Sequence, residues 1–245
     1  MTDRTHFGYQ DVAREAKAGL VRDVFDNVAG RYDLMNDLMS AGVHRHWKDA
    51  ALDWLAPQPH QHLLDVAGGT GDIAFRFLER GGGGVTVCDI NEKMLAKGRR
   101  RANDQLLGDK AKWLVGDAER LPIPDRSVDV YSIAFGLRNV TNIELALAEA
   151  FRVLKIGGRF LCLEFSHVEN AALAKVYEQF SFSVLPALGA RVTGDREAYQ
   201  YLVESIRRFP NQQDLADKVQ AQGFENITVR NLSAGIAAMH SGWRL

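Results

Sequence analysis

The chain reads as an α/β protein built on a mostly parallel sheet with helices on both faces, and three observations predict it. Short apolar runs alternate with amphipathic segments from His62 onward, one run breaks into glycines that open a helix, and an acid, Asp89, closes the next run. Such alternation requires right-handed crossovers and therefore parallel strand neighbours. With 245 residues, 46% hydrophobic and 25% charged, the chain has material for a full core and an ordinary globular balance.

Residues 12 to 55 carry apolar positions at helical spacing, Val21, Val24, Phe25 and Val28, then Leu34, Met35, Leu38 and Met39, which predicts helices ahead of the sheet. Pro57 and Pro59 interrupt that pattern, so residues 1–58 are expected to form an N-terminal helical cap on a domain spanning 59–245. Inside it the expected order is strand Leu63 to Val66, helix Asp72 to Arg80, strand Val85 to Ile90 and helix Glu92 to Asn103. Strands Ala111 to Val115 and Val128 to Ala134, helix Ile143 to Leu154 and strand Phe160 to Phe165 follow, with Lys155-Ile156-Gly157-Gly158 ending the helix through a left-handed cap. A helical insertion is expected at about 167–210, because Leu173, Val176, Tyr177 and Phe180 share a face. After a helix from Gln212 to Gln222, Ile227 to Leu232 and Ile236 to Met239 are close enough to pair as an antiparallel hairpin around Ser233-Ala234-Gly235. The sheet then has seven strands.

The turn Asp65-Val66-Ala67-Gly68-Gly69-Thr70-Gly71-Asp72 lets backbone amides approach a ligand, and Asp89, 20 residues past Gly69, stands where an acid grips ribose hydroxyls. Gly69-x-Gly71-x-x-Ala74 also satisfies the dinucleotide fingerprint, so an NAD-dependent oxidoreductase stays open as an alternative. Asp72 speaks against it, since a carboxylate in the first helical turn competes with a pyrophosphate for the same amides. S-adenosyl-L-methionine, with adenosine, ribose and an amino-acid end but no phosphate, suits the turn better. Asp117, in Gly116-Asp117-Ala118-Glu119 after a strand, can accept a hydrogen bond from the adenine amine.

A net charge of −1 gives no field to hold a polyanion, so nucleic acid is excluded as a partner. Arg99-Arg100-Arg101 is expected to form a solvated helix end. Cys88 and Cys162, inside apolar runs without C-x-x-C spacing, are expected to be buried small hydrophobes, and no metal site is expected. The N-terminus lacks the pattern of a secretion signal and no run of about 18 apolar residues occurs, which points to the cytoplasm.

The segments Arg31-Tyr32-Asp33-Leu34-Met35-Asn36-Asp37-Leu38-Met39-Ser40 and Phe135-Gly136-Leu137-Arg138-Asn139-Val140, with Asp65 to Asp72, Asp89-Ile90-Asn91 and Glu204-Ser205-Ile206-Arg207, closely resemble the ubiquinone/menaquinone biosynthesis C-methyltransferases. This UbiE family belongs to the Rossmann-like class I methyltransferases, and the resemblance runs from about Phe7 to the C-terminus. It implies S-adenosylmethionine as cofactor, with contacts at Thr70, Asp89, Asp117, Ala118 and Ala134, the last standing where serine is usual. Ile156 likewise replaces a usual proline. From the turn itself, Asp65, Gly69 and Gly71 join the expected cofactor-binding set.

The resemblance further implies methyl transfer to a ring carbon of a polyprenylated quinol, demethylmenaquinol or 2-methoxy-6-polyprenyl-1,4-benzoquinol. No obvious base is present. Arg138 is expected to stabilise a phenolate or orient a water, and Tyr32 to touch the ring from the cap. His44, His46, His167 and His240 are weaker candidates for the base. Phe25, Leu38, Met39 and the block from Tyr177 to Leu188 are candidates to line a channel for the isoprenoid tail, and that block could equally meet the inner face of the membrane, a second copy or a partner enzyme of quinone synthesis. A non-catalytic S-adenosylmethionine-binding scaffold is a further alternative.

Overall fold

The computed structural model describes residues 4–28, 40, 42–169, 174, 175, 177, 179 and 196–245. Tyr32, Leu34, Met35, Leu38, Met39 and most of the 173–188 block lie outside the described residues.

An N-terminal hairpin, β1 (Arg4–Phe7) and β2 (Gln10–Ala13), precedes helix α1 (Arg14–Val28). The helical spacing does not predict this hairpin, although Gly8, with φ +57°, is the residue type its turn requires. Helix α2 (His44–Leu55) buries Trp47, Ala51, Leu52 and Leu55 as one stripe, and Ala56 ends it in a left-handed conformation. Strand β3 (His62–Val66), helix α3 (Asp72–Glu79), strand β4 (Gly84–Asp89), helix α4 (Glu92–Asp104) and strand β5 (Ala111–Val115) continue the expected alternation. Then come β6 (Val128–Ala134), α5 (Ile143–Val153), β7 (Leu154–Phe165), α6 (Arg196–Arg208), α7 (Gln212–Ala221), β8 (Glu225–Leu232) and β9 (Ala237–Arg244). Asn91, Asn142 and Asn211 each cap a helix, accepting a bond from the amide three residues on.

The strands form one seven-stranded sheet in the order β5-β4-β3-β6-β7-β9-β8, in which β9 runs antiparallel to both neighbours. Successive residues of β3 face opposite sides: Leu63 joins a core formed with α2, α3, α4 and α6, while Leu64 joins one formed with α5 and α7. Each such fully buried leucine contributes roughly 1.5–3 kcal/mol. The chain leaves β3 in one direction through β4 and β5 and returns on its other side as β6, so the strand order reverses between β3 and β6. A crevice opens at the carboxyl ends of strands at such a reversal.

Two expectations are corrected. Helix α5 ends with Leu154 already extended, and the left-handed Gly157 (φ +78°) sits inside β7, where three extra residues bulge between the pairs Val128–Leu154 and Val130–Arg159. Strand β9 continues to Arg244, with Ser241 and Gly242 buried opposite Leu161 and Phe160 of β7.

Candidate active site

A partly open cleft lies over the carboxyl ends of β3, β4, β5 and β6 and is also lined by residues of α1 and α2. Its floor is the turn after β3. A methyl group on Gly68 would lie 2.7 Å from Asp65 Oδ2 and 2.9 Å from the Asp65 carbonyl oxygen, so only glycine lets the chain fold back on the strand there. Gly71 (φ +82°) starts α3 in a left-handed conformation against the Trp113 ring and does not line the cleft; it shapes the turn.

Asp65 is buried at the centre of this floor. Ser132, its register partner on β6, donates to Oδ1 at 2.7 Å, while Oδ2 has no hydrogen-bond partner. Burial pushes its carboxyl up to about 7, against the opposing effect of Ser132. Asp89, at the end of β4, accepts the Gly69 amide on Oδ2 and the Asn91 amide on Oδ1, both at 2.8 Å. Burial raises its pKa while those amides oppose the rise, and each oxygen retains a lone pair for a ribose hydroxyl. Asp117 lines the β5 side with Ala118; its Oδ1 accepts the Glu119 amide at 2.9 Å, leaving Oδ2 for a donor. Ala134 ends β6 on the opposite wall.

Thr70 lines the cleft, but its hydroxyl and carbonyl accept from Arg101 Nη1 at 2.8 and 3.3 Å. Arg101 also stands 5.1 Å from the Phe75 ring centroid. Arg99 and Arg100 are exposed as expected, but the solvated reading is corrected for Arg101, which reaches back along α4 to clamp the turn. At the first turn of α3, Lys48 of α2 donates to Asp72 Oδ2 at 2.6 Å, and Arg76 approaches Oδ1 at 3.5 Å. Burial alone would raise Asp72, but Lys48 and Arg76 outweigh it and hold its carboxyl below the usual range.

Arg138 does not line the cleft. Its guanidinium is fully buried behind the wall, donating to Glu164 Oε1 and to the Phe135 carbonyl, each at 2.6 Å, and stacking 5.5 Å from the Phe165 ring. Burial raises Glu164 while Arg138 opposes the shift, and Arg138 also holds the carbonyl of Phe135, whose φ is +57°. None of the four candidate histidines lines the cleft either: His44 pairs with Ser40, His167 with the Phe209 carbonyl and His240 with the Gln212 carbonyl, and His46 is exposed. Cys88 and Cys162 are buried free thiols, the first pushed up to about 12 by burial. Among the described residues, no three histidines, cysteines or carboxylates come together to hold a metal, and no helix is long and apolar enough to cross a membrane.

Sequence reading missed two lysines. Lys17, on α1, donates to the Val140 carbonyl at 2.8 Å, and burial brings its ammonium down to about 8. Lys48 lines the cleft itself. Each interrupts an apolar helical stripe, Lys17 before Val21 and Val24 and Lys48 before Leu52 and Leu55, which is the signal that could have found them.

The acceptors fit an adenosyl sulfonium: acids stand at the strand ends beside a glycine turn that admits no side chain at Gly68, and the Asp65 carboxylate keeps a buried, unpartnered oxygen suited to a cation. Fold and cleft together define a class I methyltransferase that uses S-adenosylmethionine. The solved structure of an S-adenosylmethionine-dependent methyltransferase from Thermotoga maritima, described as a possible histamine N-methyltransferase, superimposes with a TM-score of 0.66. It is 20% identical, covers 92% of this chain and all of its own, and shares the fold.

The model of the ubiE/COQ5 methyltransferase family matches residues 10–244, and the chain belongs to that family. It is 58% identical to the ubiquinone/menaquinone biosynthesis C-methyltransferase UbiE of Dinoroseobacter shibae over 100% of this chain and 98% of that one. Identity to the Bradyrhizobium sp. protein of the same name is 59%, over 100% and 99% of the two chains.

Proposed function

We propose that the protein methylates a ring carbon of a polyprenylated quinol, demethylmenaquinol or 2-methoxy-6-polyprenyl-1,4-benzoquinol, in menaquinone or ubiquinone biosynthesis. The observation that carries this reading is identity of 58–59% across the full length to proteins named for that C-methylation.

S-adenosylmethionine supplies an electrophilic methyl group on a cationic sulfur. Asp89 and Asp117 would take the ribose hydroxyls and the adenine amine, the Gly69–Thr70 turn and Ala118 would pack the adenosine, and Ala134 would contact it through its backbone. Asp65, ionised, places a negative charge near the cofactor's positive groups. With the cofactor bound, the acceptor carbon would take the methyl group in line, the sulfur would leave as the neutral thioether, and the ring would give up one proton. No described histidine lines the cleft to take that proton. Arg138 enters as a positioning residue: by holding the Phe135 carbonyl and Glu164 it sets the wall against which the ring is aligned. Tyr32, outside the described residues, is proposed to contact the ring.

The substrate tail is membrane-resident, so the protein meets it as a peripheral protein at the inner membrane face. Flotation with quinol-containing vesicles is expected, and its absence at every salt concentration counts against that part. Incubation of purified protein with each quinol should form one S-adenosylhomocysteine per quinol consumed for at least one of them. Binding of S-adenosylhomocysteine without turnover of either quinol would overturn the enzymatic reading in favour of a scaffold.

A further inference from the structure

The described acids of the cleft account for an adenosine, a ribose and a cation, but none accounts for a carboxylate. The cofactor's amino-acid end carries one. Within the cleft wall, Lys48 is a buried ammonium, 5% exposed, on a helix of the N-terminal segment. It reaches the floor at the first turn of α3, next to Asp72 and within electrostatic range of Asp65. Asp89 and Asp117 occupy the β4 and β5 ends of the cleft, so the adenosine side lies there, and the β3 and α2 end is left for the amino acid.

We propose that Lys48 binds the carboxylate of the cofactor's amino-acid end while Asp65 Oδ2, buried and unpartnered, accepts its ammonium, so that the pair reads an α-amino acid as a zwitterion. Two features make the exchange feasible. Asp72 keeps a second cation, Arg76, at 3.5 Å when Lys48 turns toward a ligand, so no buried charge is stranded. A flexible four-carbon stem lets the ammonium swing between two carboxylates without moving α2. The assignment also gives the N-terminal segment a role in cofactor retention, because the ligand would tie α2 to the glycine turn. It rests on the S-adenosylmethionine reading and is independent of which quinol is the acceptor.

Calorimetry with three probes tests it: S-adenosylhomocysteine, its decarboxylated analogue, and 5′-methylthioadenosine, which lacks the whole amino-acid end. The wild-type protein should bind S-adenosylhomocysteine at least about 10-fold more tightly than the decarboxylated analogue. Lys48→Met should shrink that preference to below about 3-fold and leave 5′-methylthioadenosine within about 2-fold of wild type. Loss of all three ligands by the same factor in folded Lys48→Met protein would overturn the proposal. Should that variant fail to fold, Asp72→Asn, which keeps Lys48 and removes its competitor, is expected to widen the preference for the carboxylate; a preference that stays equal or narrows contradicts it. Failure of every probe to bind the wild-type protein would instead strike the cofactor reading itself.

Discussion

Ser132 donates to Asp65 across the β3–β6 junction at 2.7 Å and satisfies only one of its two carboxylate oxygens, leaving Oδ2 buried and bare. A carboxyl so placed sits near the midpoint of its titration at neutral pH, at about 7. The unfolded value is near 3.9, so between about pH 4 and 7 the folded state holds the extra proton, and this group's contribution to stability falls as pH rises, by about 1.4 kcal/mol per unit, levelling off above 7.

The first prediction concerns ligand binding. The ammonium of the ligand's amino-acid end favours ionised Asp65, so S-adenosylhomocysteine binding at pH 6 should release close to one proton and at pH 8 almost none. Calorimetry at each pH in buffers of different ionisation enthalpy reads this directly. Heats that do not depend on the buffer at pH 6 would contradict it. Asp65→Asn should raise stability at pH 8 by about 2–4 kcal/mol, since it removes the ionised buried group, while weakening S-adenosylhomocysteine at least 10-fold.

Arg138 and Glu164 form an ion pair with side chains 0% and 2% exposed. Removing one partner strands the other, so Arg138→Met and Glu164→Met should each cost about 3–5 kcal/mol, or roughly 6–20 °C in Tm. The double variant Arg138→Met/Glu164→Met should recover most of that loss. Thermal and urea unfolding of the four proteins measure the cycle; additive losses would show that the two side chains do not act as a pair.

Glycines at two positions should respond in opposite ways. Gly68→Ala pushes a methyl group against Asp65 and Val87 at 2.7 Å, so it should displace the turn, destabilise by about 1–3 kcal/mol and weaken S-adenosylhomocysteine more than 10-fold. Gly19→Ala, inside α1 with nothing within 4 Å of the new methyl, should stabilise by about 0.5–1 kcal/mol. Unfolding curves and calorimetry on both variants check the contrast, and equal effects would refute the steric account.

Arg101→Met removes the clamp on Thr70 and should weaken S-adenosylhomocysteine about 3- to 10-fold with less than about 1 kcal/mol of lost stability, since the guanidinium is partly exposed. Retained affinity would make the contact incidental.

Local features of the sheet and site were legible because they are written in short stretches. The alternation from His62, the glycine turn and Asp89 follow from strand and helix periods and from steric demands inside about 30 residues. What escaped depends on pairing at a distance. Ser132 meets Asp65 across 67 residues, Lys17 meets Val140 across 123, and Lys48 meets Asp72 across 24; no local pattern announces a partner on another element. Arg138 stands in a recognisable segment, yet only the position of Glu164 on β7 shows that its charge is spent inside the wall. The extent of β9 escaped for a related reason, because Ser241 and Gly242 lack the apolar character that the neighbouring strands make unnecessary.

Tracing a 13C-labelled methyl group tests the central claim most directly. With methyl-labelled S-adenosylmethionine and each reduced quinol, the wild-type protein is predicted to place the label on a ring carbon of the product and to leave unlabelled S-adenosylhomocysteine, as read by NMR and mass spectrometry. Label on a quinol oxygen, or none in either quinol while the cofactor binds, would contradict the account.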